Sequence, residues 1–267
     1  MKIRFYVSIF TALVVTAALF LAPTPSSAQT AQVPRLHDGK PNFNGVWARP
    51  RVNDVMKDAN GTECGSGKTG CSHKGSGPVG LTPLAKEIMS EPAFDYTSFC
   101  LPWGYTRAWQ TEYPVEILQT PERLAILFES NTVFKVVPTD GRQLSKNPDP
   151  SWFGHSVGRY EGETLIIESN GFNGRTNLDV GADHPSSTEM RITERFRLLD
   201  ADRIAYDLTI EDPKMYTAPI KNSRVFVRMK GEELLEGFCM ENNKNLIEGR
   251  MQIQVDTKEY KKYFDVQ

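Results

Sequence analysis

Residues 114–130 read PVEILQTPERLAILFES, two alternating runs about a four-residue turn. Apolar side chains recur at every second position on both sides of TPER, which is the period of a half-buried strand. Pro121 takes the second place of that turn, where its fixed φ is already suitable. The segment therefore reads as a β-hairpin in which Gln119 faces Leu124 and Glu116 faces Leu127. In this register Glu116 shares a face with Leu118, Ala125 and Leu127, and Glu129 sits diagonally across at about 7–8 Å.

The same period continues outward. TVFKVV runs into the PTDGR turn, TLIIES follows EGE, RITERFRLL and RIAYDLTI flank DAD, and SRVFVRM and ELLEGFC flank KGE. With short strands around Trp47 and Val157 this makes nine or ten strands linked by tight turns. Such spacing predicts an all-β fold, an antiparallel up-and-down barrel or sandwich of lipocalin-like type. No internal repeat and no βαβ alternation is present. Residues 29–98 read as an irregular N-terminal arm, and residues 99–267 as the barrel-like domain. Within the arm, Thr82 at an N-cap and Pro83 at the first helical position predict one short helix.

The chain opens with Lys2 and Arg4, an apolar run from Phe5 to Ala22, and small residues up to Ala28. This is the layout of a secretory signal peptide over residues 1–28 of the general export route, with an uncleaved anchor as the alternative. The expected location is the bacterial periplasm or the medium, with no membrane span after cleavage. Removing Lys2 and Arg4 leaves 29 basic against 33 acidic residues, with no basic run. Nucleic acid is thereby excluded as a natural partner. Four cysteines in an exported chain predict disulfides. Three pairings are open; Cys64–Cys71 closing a local loop and Cys100–Cys239 tying the domain's ends are favoured.

Several motifs are weaker than their spelling. GHSVG, residues 154–158, has the spacing of a nucleophile elbow, but no buried strand precedes Ser156 and no helix follows. GSGKT at 65–69 lacks the first glycine of a phosphate loop, since Glu63 stands there. Cys64, Cys71 and His73 are spaced too widely for a zinc knuckle. No metal site and no cofactor is expected.

Four residues remain as acid–base candidates. Glu116 and Glu129 on an apolar face would repel each other and lose solvation, which is how such groups become poised. The competing reading turns both to solvent or pairs them with Arg107, Arg123 or Lys135. His155 lies in a glycine-flanked loop beside Trp152 and Phe153, and His184 lies in GADHPSS; imidazole titrates near neutrality. In CLPWGYTRAWQTEYP, Trp103, Tyr105, Trp109 and Tyr113 surround Arg107, a set suited to a flat anionic ligand. The competing reading is a hydrophobic plug over the open end of the sheet, stapled by Cys100. Trp103, Arg107, Tyr113, Phe134 and Trp152 are the expected substrate contacts.

The ordered set NFNGVW, CLPWGY.R, PVEILQTPERLAILFE, TDGR, WFGHSVGRYEGETLIIES.GFN, HPSS….RITERFR, LTIEDP…YTAP and FCMENN resembles a widespread family of exported, largely uncharacterised bacterial β-rich proteins. The resemblance covers nearly the whole mature chain and implies a barrel-like domain rather than a known reaction. Its pattern includes Glu116, Glu129, His184 and Glu194. It departs at His155 and Tyr160, where many relatives carry Asp and Trp. GVW, residues 45–47, also resembles the Gly-x-Trp of lipocalins. The leading expectation is a cofactor-independent lyase, isomerase or hydratase acting by proton transfer on a small aromatic or terpenoid-like compound. A non-catalytic binding barrel is the alternative, a serine esterase through Ser156 the third, and a structural envelope protein the fourth.

Overall fold

The computed structural model describes residues 33–58, 64, 67, 69–91, 95–241 and 243; the expected signal segment and most of GSGKT lie outside them. Among the described residues ten strands form: β1 (Gly45–Ala48), β2 (Ser72–Gly75), β3 (Val115–Gln119), β4 (Arg123–Phe128), β5 (Val133–Pro138), β6 (His155–Glu161), β7 (Thr164–Asn170), β8 (Arg191–Leu198), β9 (Arg203–Glu211) and β10 (Ile220–Arg228). All pair antiparallel, in the order β5-β4-β3-β1-β10-β9-β8-β7-β6, with β2 added to β10. The result is a nearly closed β-barrel whose seam lies between β5 and β6. Val137 and Thr139 of the β5 side pack there against Gly158, where any side chain would collide with Thr139.

The hairpin register is the expected one, Gln119 opposite Leu124 and Glu116 opposite Leu127. The face is reversed. Val115, Ile117, Leu124, Ile126 and Phe128 point into the core, while Leu118 is exposed and Glu116 half-buried on the outer surface. Period-two alternation fixes which residues share a face; it does not say which face is inside when both carry apolar residues.

Two strands of the segment read as an arm join the sheet, β1 around Trp47 as expected and β2 besides. β1 joins β3 to β10, with Val46 opposite Glu116 and Trp47 opposite Arg228. Arg228 stacks on the Trp47 ring at 4.1 Å and leaves no room for a side chain at Gly45, whose φ is +128°. The short helix α1 (Pro83–Ser90) forms with Thr82 Oγ1 accepting from the Ala85 amide. The expected strand ELLEGFC does not form. Residues 232–238 run irregularly across the end of β4, tied by the Leu235 amide donating to Glu129 Oε2 at 2.9 Å. Both favoured disulfides are present, Cys64–Cys71 and Cys100–Cys239.

A second helix, α2 (Tyr105–Gln110), is buried on every side inside the barrel. Trp109 stacks on Phe226 at 5.5 Å and meets Phe128 at 5.0 Å and Tyr206 at 5.2 Å. Two buried guanidinium groups hold its C-terminal carbonyls. Arg49 Nη1 donates to Ala108 O at 2.9 Å, and Arg224 Nη1 donates to Trp109 O at 2.6 Å. Cations at this end of a helix meet the negative pole of its dipole and its unpaired carbonyls. At the other end, Tyr105 and Tyr206 both donate to the buried Glu194 carboxylate, at 2.7 and 2.9 Å. Tyr105 and Trp109 of the aromatic stretch thus fill the barrel, while Trp103 and Tyr113 lie outside the core.

Candidate functional site

The loop from Gly171 to Met190, between β7 and β8, carries the arrangement with the clearest acid–base chemistry. Its residues Asn177 and Pro185 form an isolated bridge, so the segment between them closes into a compact turn. The Leu178 amide donates to His184 O at 2.8 Å, and Asp183 adopts a left-handed φ of +53° just before the histidine. This geometry returns the chain onto itself and sets the His184 imidazole against Asp179, with Nδ1 to Oδ2 at 2.6 Å.

Asp179 is fully buried, and its other contacts come from backbone amides, Val55 to Oδ2 at 3.1 Å and Ala182 to Oδ1 at 3.2 Å. An acceptor fixed by three donors leaves one geometry for the ring: Nδ1–H donates to Asp179 and Nε2 carries the lone pair of the neutral form. Nε2 has no hydrogen-bond partner among the described residues. Asp54, from the segment before β2, stands 3.9 Å from Nδ1 and is itself held by Lys57 Nζ at 3.0 Å. Burial alone would lower the His184 pKa, but the hydrogen bond and charge of Asp179, with the charge of Asp54, outweigh it and raise it.

Asp54, Asp179 and His184 are also the group among the described residues whose ligand atoms lie close enough to hold a metal ion, all within 4.8 Å of one another. Their oxygens already receive amide, imidazole and ammonium donors. A cation there would have to displace those donors, so the arrangement reads more directly as a hydrogen-bonded acid–base pair.

The same loop reaches the expected ligand contacts. The Asn177 amide donates to Tyr96 OH at 3.2 Å, and Tyr96 OH donates to Trp103 O at 2.8 Å. Arg107 of α2 lies between these two rings, 5.2 Å from Tyr96 and 5.8 Å from Trp103. It pairs loosely with Asp95 at 3.7 Å, and its Nε is buried with no hydrogen-bond partner among the described residues. Tyr113 meets Trp103 edge-on at 6.4 Å and is exposed.

The remaining candidates are dispersed. Glu116 sits on the outer face of β3, and Glu129 is occupied by the Leu235 amide. Phe134 is exposed on the outer face of β5. His155 is exposed at the start of β6 and meets Asp149 O at 2.9 Å; Trp152 lies half-buried just before it. Ser156 points inward and pairs with Ser169 Oγ at 2.5 Å. Asp179 and Asp54 were missed by sequence reasoning. Asp179 stands only five residues before His184 in the same loop, whereas nothing local marks Asp54.

No family model and no curated protein matches the chain.

Proposed function

We propose that the protein is an exported acid–base enzyme that moves a proton on a small aromatic anion, with His184 as the catalytic group. The observation that carries this reading is the 2.6 Å hydrogen bond from His184 Nδ1 to the buried Asp179, which leaves Nε2 free to accept a proton. Nε2 takes a proton from carbon or water, the imidazolium is stabilised by Asp179 and Asp54, and the proton returns at a second atom. Isomerisation, elimination and hydration all fit that cycle, and positioned general acid–base groups contribute about 100- to 10,000-fold. Asp179 is the positioning residue. Arg107, between Tyr96 and Trp103, holds the anionic group of the substrate, and no cofactor takes part in the cycle.

Export rests on the sequence layout of residues 1–28 and accords with two disulfides, which persist in oxidising compartments. No helix among the described residues is long and apolar enough to cross a membrane. A non-catalytic binding protein is the second reading, favoured by the unpartnered Nε of Arg107.

The test incubates wild type, His184→Gln and Arg107→Met with extract of the source cells and follows free and bound small molecules by mass spectrometry. A compound consumed by wild type and spared by His184→Gln supports the enzyme. A compound retained unchanged by wild type and His184→Gln, and lost by Arg107→Met, supports the binding protein instead.

A further inference from the structure

The seam of the barrel holds a second set of reactive side chains that the His184 chemistry does not use. Ser156 on β6 and Ser169 on β7 are cross-strand partners, and both side chains point inward, their Oγ atoms 2.5 Å apart. Lys135 reaches them from β5, across the gap where β5 and β6 do not hydrogen-bond to each other. Its Nζ lies 3.3 Å from Ser169 Oγ, 2.7 Å from Phe153 O and 3.5 Å from the Tyr105 ring centre. Three strands thus deliver one ordered chain: hydroxyl, hydroxyl, amine.

We propose that Ser156 is a nucleophile toward small carboxylic esters, with Ser169 relaying its proton to Lys135. Ser156 Oγ bonds to the carbonyl carbon, its proton passes to Ser169 Oγ, and the Ser169 proton passes to Lys135 Nζ. The carbon–oxygen bond to the leaving alcohol then breaks, and the alkoxide takes the proton back from Lys135. Water repeats the sequence on the acyl-serine and releases the acid. Burial of Lys135 lowers its pKa to about 7, against the opposing pull of Glu194, so the neutral amine is present near neutrality.

The relay is buried, and a cleft lies next to it. This cleft of about 730 Å³ is lined by Lys146, Pro148 and Pro150 of the β5–β6 connection, by Asn170 at the end of β7 and by Phe172 beyond it. Phe172 also lies 5.5 Å from Lys135 Nζ, so it is the wall between cleft and relay. Asn170, next to Ser169, keeps a buried Oδ1 without a partner on that wall. The same connection covers the relay through three contacts: Ser145 O with Asn170, Asp149 O with His155, and Phe153 O with Lys135. In the proposed reaction an ester reaches Ser156 only when that segment is displaced. Gly154 has φ +63°, and a side chain there would strike Asn170 O and Phe172. The first glycine of GHSVG therefore lets the connection close over the relay, without the strand–turn–helix of a nucleophile elbow.

The experiment treats disulfide-intact protein with a fluorophosphonate probe and with p-nitrophenyl acetate, beside Ser156→Ala, Ser169→Ala and Ser156→Cys. The expected result is one adduct per chain, mapped to the peptide containing Ser156, with ester hydrolysis lost about 100-fold or more in both alanine variants. Near-UV circular dichroism and thermal midpoints confirm that the variants are folded, and folded Ser156→Cys should be alkylated by iodoacetamide. An adduct elsewhere, wild-type hydrolysis by Ser156→Ala, or an inert thiol in folded Ser156→Cys would overturn the proposal.

Discussion

Two buried histidines show how far local partners decide what one residue type does. His73 is enclosed by β10 and the segment before β2, with Nε2–H donating to Lys57 O at 2.7 Å. Burial, with the nearby Arg224 charge, lowers its pKa to about 4. His184 has carboxylates instead, and its pKa is raised. The consequences for stability are opposite in sign. For His73 the unfolded chain binds the proton more tightly, so stability falls as pH drops from 6.5 toward 4, by about 3 kcal/mol at most. For His184 the folded chain binds it more tightly. Its contribution is complete below the unfolded value of 6.5 and is lost as pH rises through its raised folded value. Urea midpoints across pH 4 to 8 should show the acid limb disappear in His73→Gln. In Asp179→Asn the loss of stability with rising pH should disappear, along with about 2 kcal/mol from the unmatched buried donors.

At the scale of elements, the hairpin register, nine of the ten strands and the capped helix α1 were legible because each depends on neighbours within a dozen residues, whereas β2, the polar stretch SHKG, shows no strand pattern of its own. The inward face of β3 was not. Glu116 and Leu118 form as plausible a core edge as Val115 and Ile117 until β1 and α2 are in place. Helix α2 was hidden for a related reason: six residues buried all round show no amphipathic stripe, and its C-terminal partners, Arg49 and Arg224, are remote in sequence. ELLEGFC alternates like a strand but meets no edge to pair with, and Cys239 and Glu129 fix its path instead. The helix makes a sharp prediction. Arg224→Met leaves the Trp109 carbonyl and Gln110 Oε1 without these donors inside the barrel and should cost about 1–3 kcal/mol for each orphaned acceptor in denaturant unfolding. Arg224→Lys should recover little of it, because one ammonium cannot reproduce the planar fork that meets Asn222, Trp109 and Gln110 together.

For the whole molecule, the two disulfides constrain very different loops. Cys100–Cys239 spans 139 positions and Cys64–Cys71 only 7. In the chain-entropy model the long closure contributes about 5 kcal/mol and the short one about 2–3 kcal/mol. Paired Cys→Ser variants should lower the urea midpoint in that order, and equal losses would point to native-state contacts rather than loop closure. The long bridge also anchors the approach to α2, since Cys100 lies five residues before Tyr105. The candidate site likewise belongs to the whole fold. Its histidine was visible in the sequence, but its chemistry comes from Asp179 across a turn and from Asp54, about 130 residues earlier, which no spacing rule joins.

Whether His184 is a poised acid–base group is read from imidazole NMR. Nitrogen-15 chemical shifts of His184, followed from pH 4 to 10 in wild type and Asp179→Asn, report both the tautomer and the midpoint. A neutral ring protonated on Nδ1, a midpoint above 6.5 and a fall in that midpoint in the variant are expected. A wild-type ring protonated on Nε2, or a midpoint at or below 6.5 that Asp179→Asn leaves in place, would contradict that role.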